Sequence, residues 1–168
     1  DGTDDTADVP AHAAINNLPA FTWLAWVWLN ATSDYMRLLN KYEKLFTLNS
    51  TTKELRFVVY GSGTTGTAIS TAVMPLNTWF RAAVTYDDGG DRKPHLWKDG
   101  VELALGTSTA ATGTATSEST KAFQVGSETA TAGRPFNGRN GEAEVWAKVF
   151  SALDIWNDFQ TTRGRYGV

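Results

Sequence analysis

TWFRAAVTYDDGGDRKPHLWKDGVELAL, residues 78–105, decides the fold class. Phe80, Ala82, Val84 and Tyr86 alternate with other residues at period two, the pattern of a strand that buries one face. DDGGD at 87–91 and KDG at 98–100 supply residues that tolerate positive φ, and Asp-Gly is a strong two-residue hairpin signal. The stretch therefore parses as strand, hairpin loop, strand, tight turn and strand, an antiparallel meander from Thr78 to Leu105.

Outward from this meander the same alternation marks strands at 21–29, 44–48, 53–60, 67–73, 121–126 and 142–149, with 78–86, 94–98 and 101–106 inside it. GSGTTG (61–66) provides a further hairpin turn. GTSTAATGTATSEST (106–120) is rich in small residues and Thr, carries no core-forming side chain, and is expected to be a mobile surface loop. One helix is expected, starting at Ser151, where SALDIWNDFQ offers a Ser N-cap, an acidic first turn and apolar residues on one face. Many short strands in a single 168-residue domain, residues 1–168, without internal repeat or linker, predict an all-β antiparallel two-sheet jelly-roll sandwich with one short C-terminal helix.

Composition narrows the function classes. The net charge is −3, and no Lys/Arg run is present to neutralise a phosphate backbone, so nucleic acid is not an expected partner. The chain has no cysteine, which removes disulfides and thiolate metal sites. Its longest apolar run is about nine residues against the roughly 20 that a membrane helix needs, so no membrane insertion is expected. The chain begins at Asp1 without a basic and apolar leader pattern, which reads as a processed product or an excised piece of a longer protein.

DGTDD at the start, FTWLAWVWL (21–29), NTWFRAAVTYD, HLWKDGV, FQVGS and FNGRNGEAEVWAKVFSALD occur in one fixed order. That order, from Asp1 to Trp156, resembles the laminin-G-like jelly roll of the concanavalin A-like lectin/glucanase superfamily. The resemblance implies a non-catalytic carbohydrate-binding or adhesion module of an extracellular, cell-surface or virion protein. It also implies a structural calcium, for which Asp4 or Asp5 could supply a carboxylate; such a hard cation takes six to eight oxygens. Two departures stand out. Asn140, Gly141, Glu142 and Ala143 replace the family's Ile-Asp-Glu-Val, so the acidic residue at 141 is missing, and Leu24 and Trp28 stand where the family has polar residues, while Trp26 matches a position where it tends to have Trp. The apolar residues that the family carries before its Asp-Gly are also absent.

Glu142 and Glu144 are i, i+2 neighbours, about 7 Å apart on one strand face, and glucanase relatives use alternating carboxylates on a strand. The third such position is Trp146, so a hydrolase is the remote reading and no catalytic residue is expected. His12 and His95 have no Ser/Asp constellation around them, and DDGGD lacks the ligand spacing of a calcium-binding helix-loop-helix. NAT (30–32) and NST (49–51) fit the glycosylation sequon.

What remains is aromatic. Strand alternation puts Trp23, Ala25 and Val27 on the inner face and Leu24, Trp26 and Trp28 on the other, with Glu142, Glu144 and Trp146 on the matching face of the late strand. Three readings of this second face stay open. A loop or the helix covers it, or it stacks against sugar rings, or it meets a neighbouring protein subunit, including a second copy of the chain in a homo-oligomer or a structural virion module. Leu24, Trp26, Trp28, Glu142, Glu144 and Trp146 are the candidate contact residues.

Overall fold

A computed structural model describes residues 7–31, 35–49, 52–126 and 136–168. Its strands are β1 (Ala7–Val9), β2 (Ala20–Leu29), β3 (Arg37–Lys41), β4 (Lys44–Leu48), β5 (Glu54–Val59) and β6 (Gly66–Val73), followed by β7 (Trp79–Asp87), β8 (His95–Lys98), β9 (Val101–Glu102), β10 (Leu105–Thr109), β11 (Phe123–Val125) and β12 (Gly138–Trp146). Helix α1 (Ala152–Thr162) follows the last strand. Among the described residues the strands form two antiparallel sheets, in the orders β1-β11-β3-β4-β5-β6-β10 and β12-β2-β7-β8-β9. This is the expected all-β antiparallel two-sheet sandwich with a C-terminal helix. No helix among the described residues is long and apolar enough to cross a membrane.

The core lies between the sheets, and β2 and β7 show how it is made. They pair in register from Ala20↔Asp87 to Trp28↔Trp79. Because successive side chains alternate, Phe21, Trp23, Ala25, Val27 and Leu29 face inward with Phe80, Ala82, Val84 and Tyr86 opposite them, all in the main core. Trp23 packs edge-on against Phe57 and Phe123 of the facing sheet, at 5.5 and 5.0 Å between ring centres. The expectation that Trp23, Ala25 and Val27 form the inner face holds.

The meander 78–105 is present as β7-β8-β9, closed by Asp99 and Gly100 at φ +50° and +84°. Its end differs from the expected strand 101–106. The strand stops at Glu102, and after Leu103 and Ala104 the chain crosses to the other sheet, where β10 pairs with β6. Residues 106–109 of the expected loop 106–120 therefore belong to the edge strand β10. Its small Thr and Ser side chains fit there because an edge strand is held by backbone hydrogen bonds and needs little packing. Ala111 and Glu118 farther along are buried as well. β1 and β3 were not expected. β3 reads RLLNK and lacks alternation because all five of its residues are buried. β12 starts at Gly138 and stops at Trp146, leaving Val149 outside the strand and exposed.

Helix α1 is built as its sequence indicates. Ser151 Oγ accepts from the Asp154 amide at 3.2 Å, and the Asp154 carboxylate accepts from the Ser151 amide at 2.9 Å, a reciprocal capping box. Ile155, Phe159 and Thr162 are its buried positions.

Candidate functional site

The outer face of the five-stranded sheet carries Thr22, Leu24, Trp26 and Trp28 of β2 opposite Thr85, Ala83, Arg81 and Trp79 of β7. Helix α1 and the residues flanking it cover most of that face. Thr22 Oγ1 donates to the Lys148 carbonyl and accepts from the Phe150 amide, both at 2.8 Å, which fixes the chain as it leaves β12. Leu24 then packs with Ala83, Trp97, Phe150 and Ile155 in a second apolar cluster. Trp26 donates from Nε1 to Thr162 Oγ1 at 3.0 Å, and Tyr166 stacks on it at 4.3 Å with a 17° tilt. Leu24 and Trp26 are both 0% exposed, so the two are structural rather than open contact residues.

Arg81 is the centre of this covered face. Its guanidinium is 1% exposed and donates to Asp158 at 2.8 and 3.0 Å, to Glu144 Oε1 at 2.5 Å and to the Glu142 carbonyl at 2.9 Å. One buried cation thus ties β7, β12 and α1 together. Burial lifts the Asp158 carboxyl above its ordinary range, although Arg81 pulls it down. Sequence reading missed Arg81, since a charge at an outward strand position looks like an ordinary solvated residue. Its one signal was the cross-strand neighbour Trp26.

The paired carboxylates receive structural partners. Glu144 bonds Arg81 and accepts from Trp146 Nε1 at 2.8 Å, and Glu142 pairs with Arg165 at 3.0 Å. A β-bulge between Asn140 and Ala143 breaks the register of β12 on β2, and the Tyr166 hydroxyl accepts from the Glu142 amide at 2.9 Å. A Cβ at Gly141 would lie 2.5 Å from the Tyr166 hydroxyl oxygen. Tyr166 therefore fills the place of the acidic side chain that the resemblance implied there. Among the described residues no cluster of three or more His, Asp or Glu could hold a metal ion. Asp4 and Asp5, the residues expected to contribute to a calcium site, lie outside the described residues.

Two candidate residues stay open. Trp28 is half-buried and sits in a cross-strand row, with Arg139 on one side at 5.8 Å from its ring and Trp79 on the other at 5.8 Å between ring centres. Its Nε1 donates to Asn30 Oδ1 at 3.0 Å. Trp146 is 44% exposed, beside Phe150 and Lys148. In the first half of α1, Leu153 and Trp156 are exposed one turn apart, and Trp156 lies against Gly100 next to exposed Val101.

Comparison with known proteins gives the fold a family. No curated protein sequence matches the chain. Among solved structures it is similar to a candidate carbohydrate binding protein from Bacteroides ovatus, with a TM-score of 0.65 and 15% identity over 90% of this chain and 43% of that one. It is also similar to a heptameric SAP-like pentraxin from Limulus polyphemus, with a TM-score of 0.63 and 9% identity over 84% of this chain and 70% of that one. A Trypanosoma rangeli sialidase in complex with sialic acid matches with a TM-score of 0.67 and 16% identity over 96% of this chain and 27% of that one. The chain thus spans less than half the length of the first and the third of these proteins. The chain belongs to the Laminin_G_3 family of the concanavalin A-like lectin/glucanases superfamily, whose model matches residues 1–156.

Proposed function

We propose that the domain is a non-catalytic carbohydrate-binding or adhesion module that works where glycans are displayed, on a cell surface, outside a cell or on a virion. The observation that carries this reading is the row Arg139, Trp28 and Trp79 beside Asn30, in which Arg139 is exposed and the two indoles are half-buried, Trp79 against Tyr166 at 4.9 Å between ring centres. Indole rings offer an apolar surface to the C–H face of a sugar ring, and a guanidinium and a carboxamide beside them supply hydrogen bonds to its hydroxyls. The family and the carbohydrate-binding description of the Bacteroides ovatus protein support the same class. The non-catalytic part is supported by the geometry of the two carboxylates, since Glu144 is occupied by Arg81 and Trp146 Nε1 and Glu142 by Arg165.

The test is a glycan array followed by intrinsic tryptophan fluorescence titration. A saccharide is expected to bind and to shift the emission, and Trp28→Ala is expected to weaken binding about tenfold or more. Silence across a broad array, or binding unaffected by Trp28→Ala, would count against this site, and turnover of any β-glucan would overturn the non-catalytic part. The exposed Trp146, Leu153 and Trp156 favour a second reading, a structural or homo-oligomeric module that buries these side chains against a neighbouring subunit. Light scattering that shows a stable oligomer, dispersed by Leu153→Glu, would select it.

A further inference from the structure

At the opposite end of β2 from Trp28, roughly 30 Å away by strand rise, a cleft of about 200 Å³ opens between residues 17–19, the end of β7 and the loop 114–117. Its walls are held rigidly. Glu118, 1% exposed, accepts from the Asn17 amide at 3.1 Å and from Lys44 Nζ at 2.7 Å, while its own amide donates to Asn17 Oδ1 at 2.9 Å. The Asp88 amide donates to the Pro19 carbonyl at 2.8 Å, joining the other two walls. Such a cleft exists before any ligand arrives, which lowers the ordering cost of binding.

Its free valences are specific. Asp88 Oδ1 accepts from the Tyr86 hydroxyl at 3.0 Å and from Arg92 Nε at 3.1 Å, whereas Oδ2 has no hydrogen-bond partner among the described residues. The Asn17 side-chain NH₂ likewise has no acceptor there, since only its Oδ1 is engaged. The Tyr86 hydroxyl, with its pKa pushed up to about 12 by burial and by its bond to Asp88, stays a neutral donor. Leu18 and Pro19 supply an apolar wall, with the Tyr86 ring buried behind it in the core, and Thr114, Thr116 and Ser117 place hydroxyls at the mouth.

We infer that this cleft is a second binding site, for one neutral pyranose ring, with Asp88 Oδ2 accepting from a sugar hydroxyl and the Asn17 NH₂ donating to a neighbouring one. The volume is below the roughly 300–1,000 Å³ of pockets for drug-sized ligands, which matches a single ring rather than an oligosaccharide. The charges select neutrality. Lys44 is already paired with Glu118 and Arg92 with Asp88, so the lining offers no unpaired cation to a uronate or a sulfated sugar.

The site shares no residue with the Trp28 row, and its test separates the two. The intact chain is titrated with the methyl glycosides of glucose, galactose and mannose, with N-acetylglucosamine and with glucuronate, observed by saturation-transfer NMR and calorimetry. At least one neutral glycoside is expected to bind with millimolar affinity and glucuronate is expected not to. Asp88→Asn should weaken that binding at least about tenfold, as expected for loss of a charge-assisted hydrogen bond, and Ser117→Trp, at an exposed position at the mouth, should block it. In Trp28→Ala, where the Trp28 row no longer contributes, the neutral-glycoside binding that is sensitive to Asp88→Asn and Ser117→Trp should remain. Absence of any neutral-sugar binding, preference for glucuronate, or binding that survives both cleft variants overturns the inference. Binding lost in Trp28→Ala but retained in Asp88→Asn overturns it too while leaving the proposed function in place.

Discussion

Arg81 sits at an outward position of β7, where the register with Trp26 would place it in water if the sheet face were bare. Because α1 lies over it, its charge must be met inside the protein, and Asp158 and Glu144 do this, with Trp26 near the ring distance of a cation–π contact at 5.9 Å. Removing one member of a buried ion pair leaves the others desolvated and unmatched, at a cost of about 3–5 kcal/mol. Arg81→Met is therefore expected to lower the free energy of unfolding in urea by that amount. Asp158→Asn added to it should recover part of the loss, because the repulsion of Asp158 from Glu144 and Glu142 disappears with its charge. An Arg81→Met variant as stable as the parent would mean that α1 is anchored by its apolar contacts alone.

Helix α1 is the element that converts an aromatic sheet face into a second core. Its attachment rests on Ile155 and Phe159, on the stack of Tyr166 on Trp26, and on the capping box that fixes where it starts. Loss of an N-cap side chain costs about 1 kcal/mol. Ser151→Ala is accordingly expected to lower stability by about that much, read in thermal unfolding, and Ser151→Asp to restore it. Much of this element was legible in the sequence. The Ser151 cap and the apolar face of SALDIWNDFQ give a helix of the right start and type. That it lies on Leu24 and Trp26 was only one of three open readings, since nothing local in FTWLAWVWL tells a covered tryptophan from an exposed one. The edge strand β10 was illegible for the opposite reason: GTST has no apolar alternation, and its strand state comes from pairing with β6.

At the scale of the whole molecule, the meander is clamped at its exposed side by His95, which lies 2.7 Å from Glu102 and 3.1 Å from Asp91. Burial disfavours the imidazolium, but the hydrogen bonds and charges of Glu102 and Asp91 outweigh it and hold the His95 pKa above its ordinary value. The unfolded chain titrates near 6.5. With the folded value higher, the contribution is complete below about pH 6.5 and is lost as the pH rises through the folded value. The three side chains are 40–49% exposed, so solvent screening keeps the effect to at most about 1 kcal/mol. Melting temperature is expected to fall slightly across this window, and His95→Gln should flatten that part of the profile.

That the chain is an all-β sandwich, where the meander turns, which face of β2 is inner and where the helix begins are all legible along the chain. Each of these is a local consequence of period-two alternation, turn chemistry or capping. That Leu24 and Trp26 are covered, that Glu142 and Glu144 are held by Arg165 and Arg81, that Tyr166 fills the place over Gly141, that Trp28 is half-buried and that a cleft is left at Asp88 follow from the folded arrangement alone. These depend on which distant segments come to lie on a strand face, and an outward-facing residue carries the same alternation signal whether water or a helix lies over it.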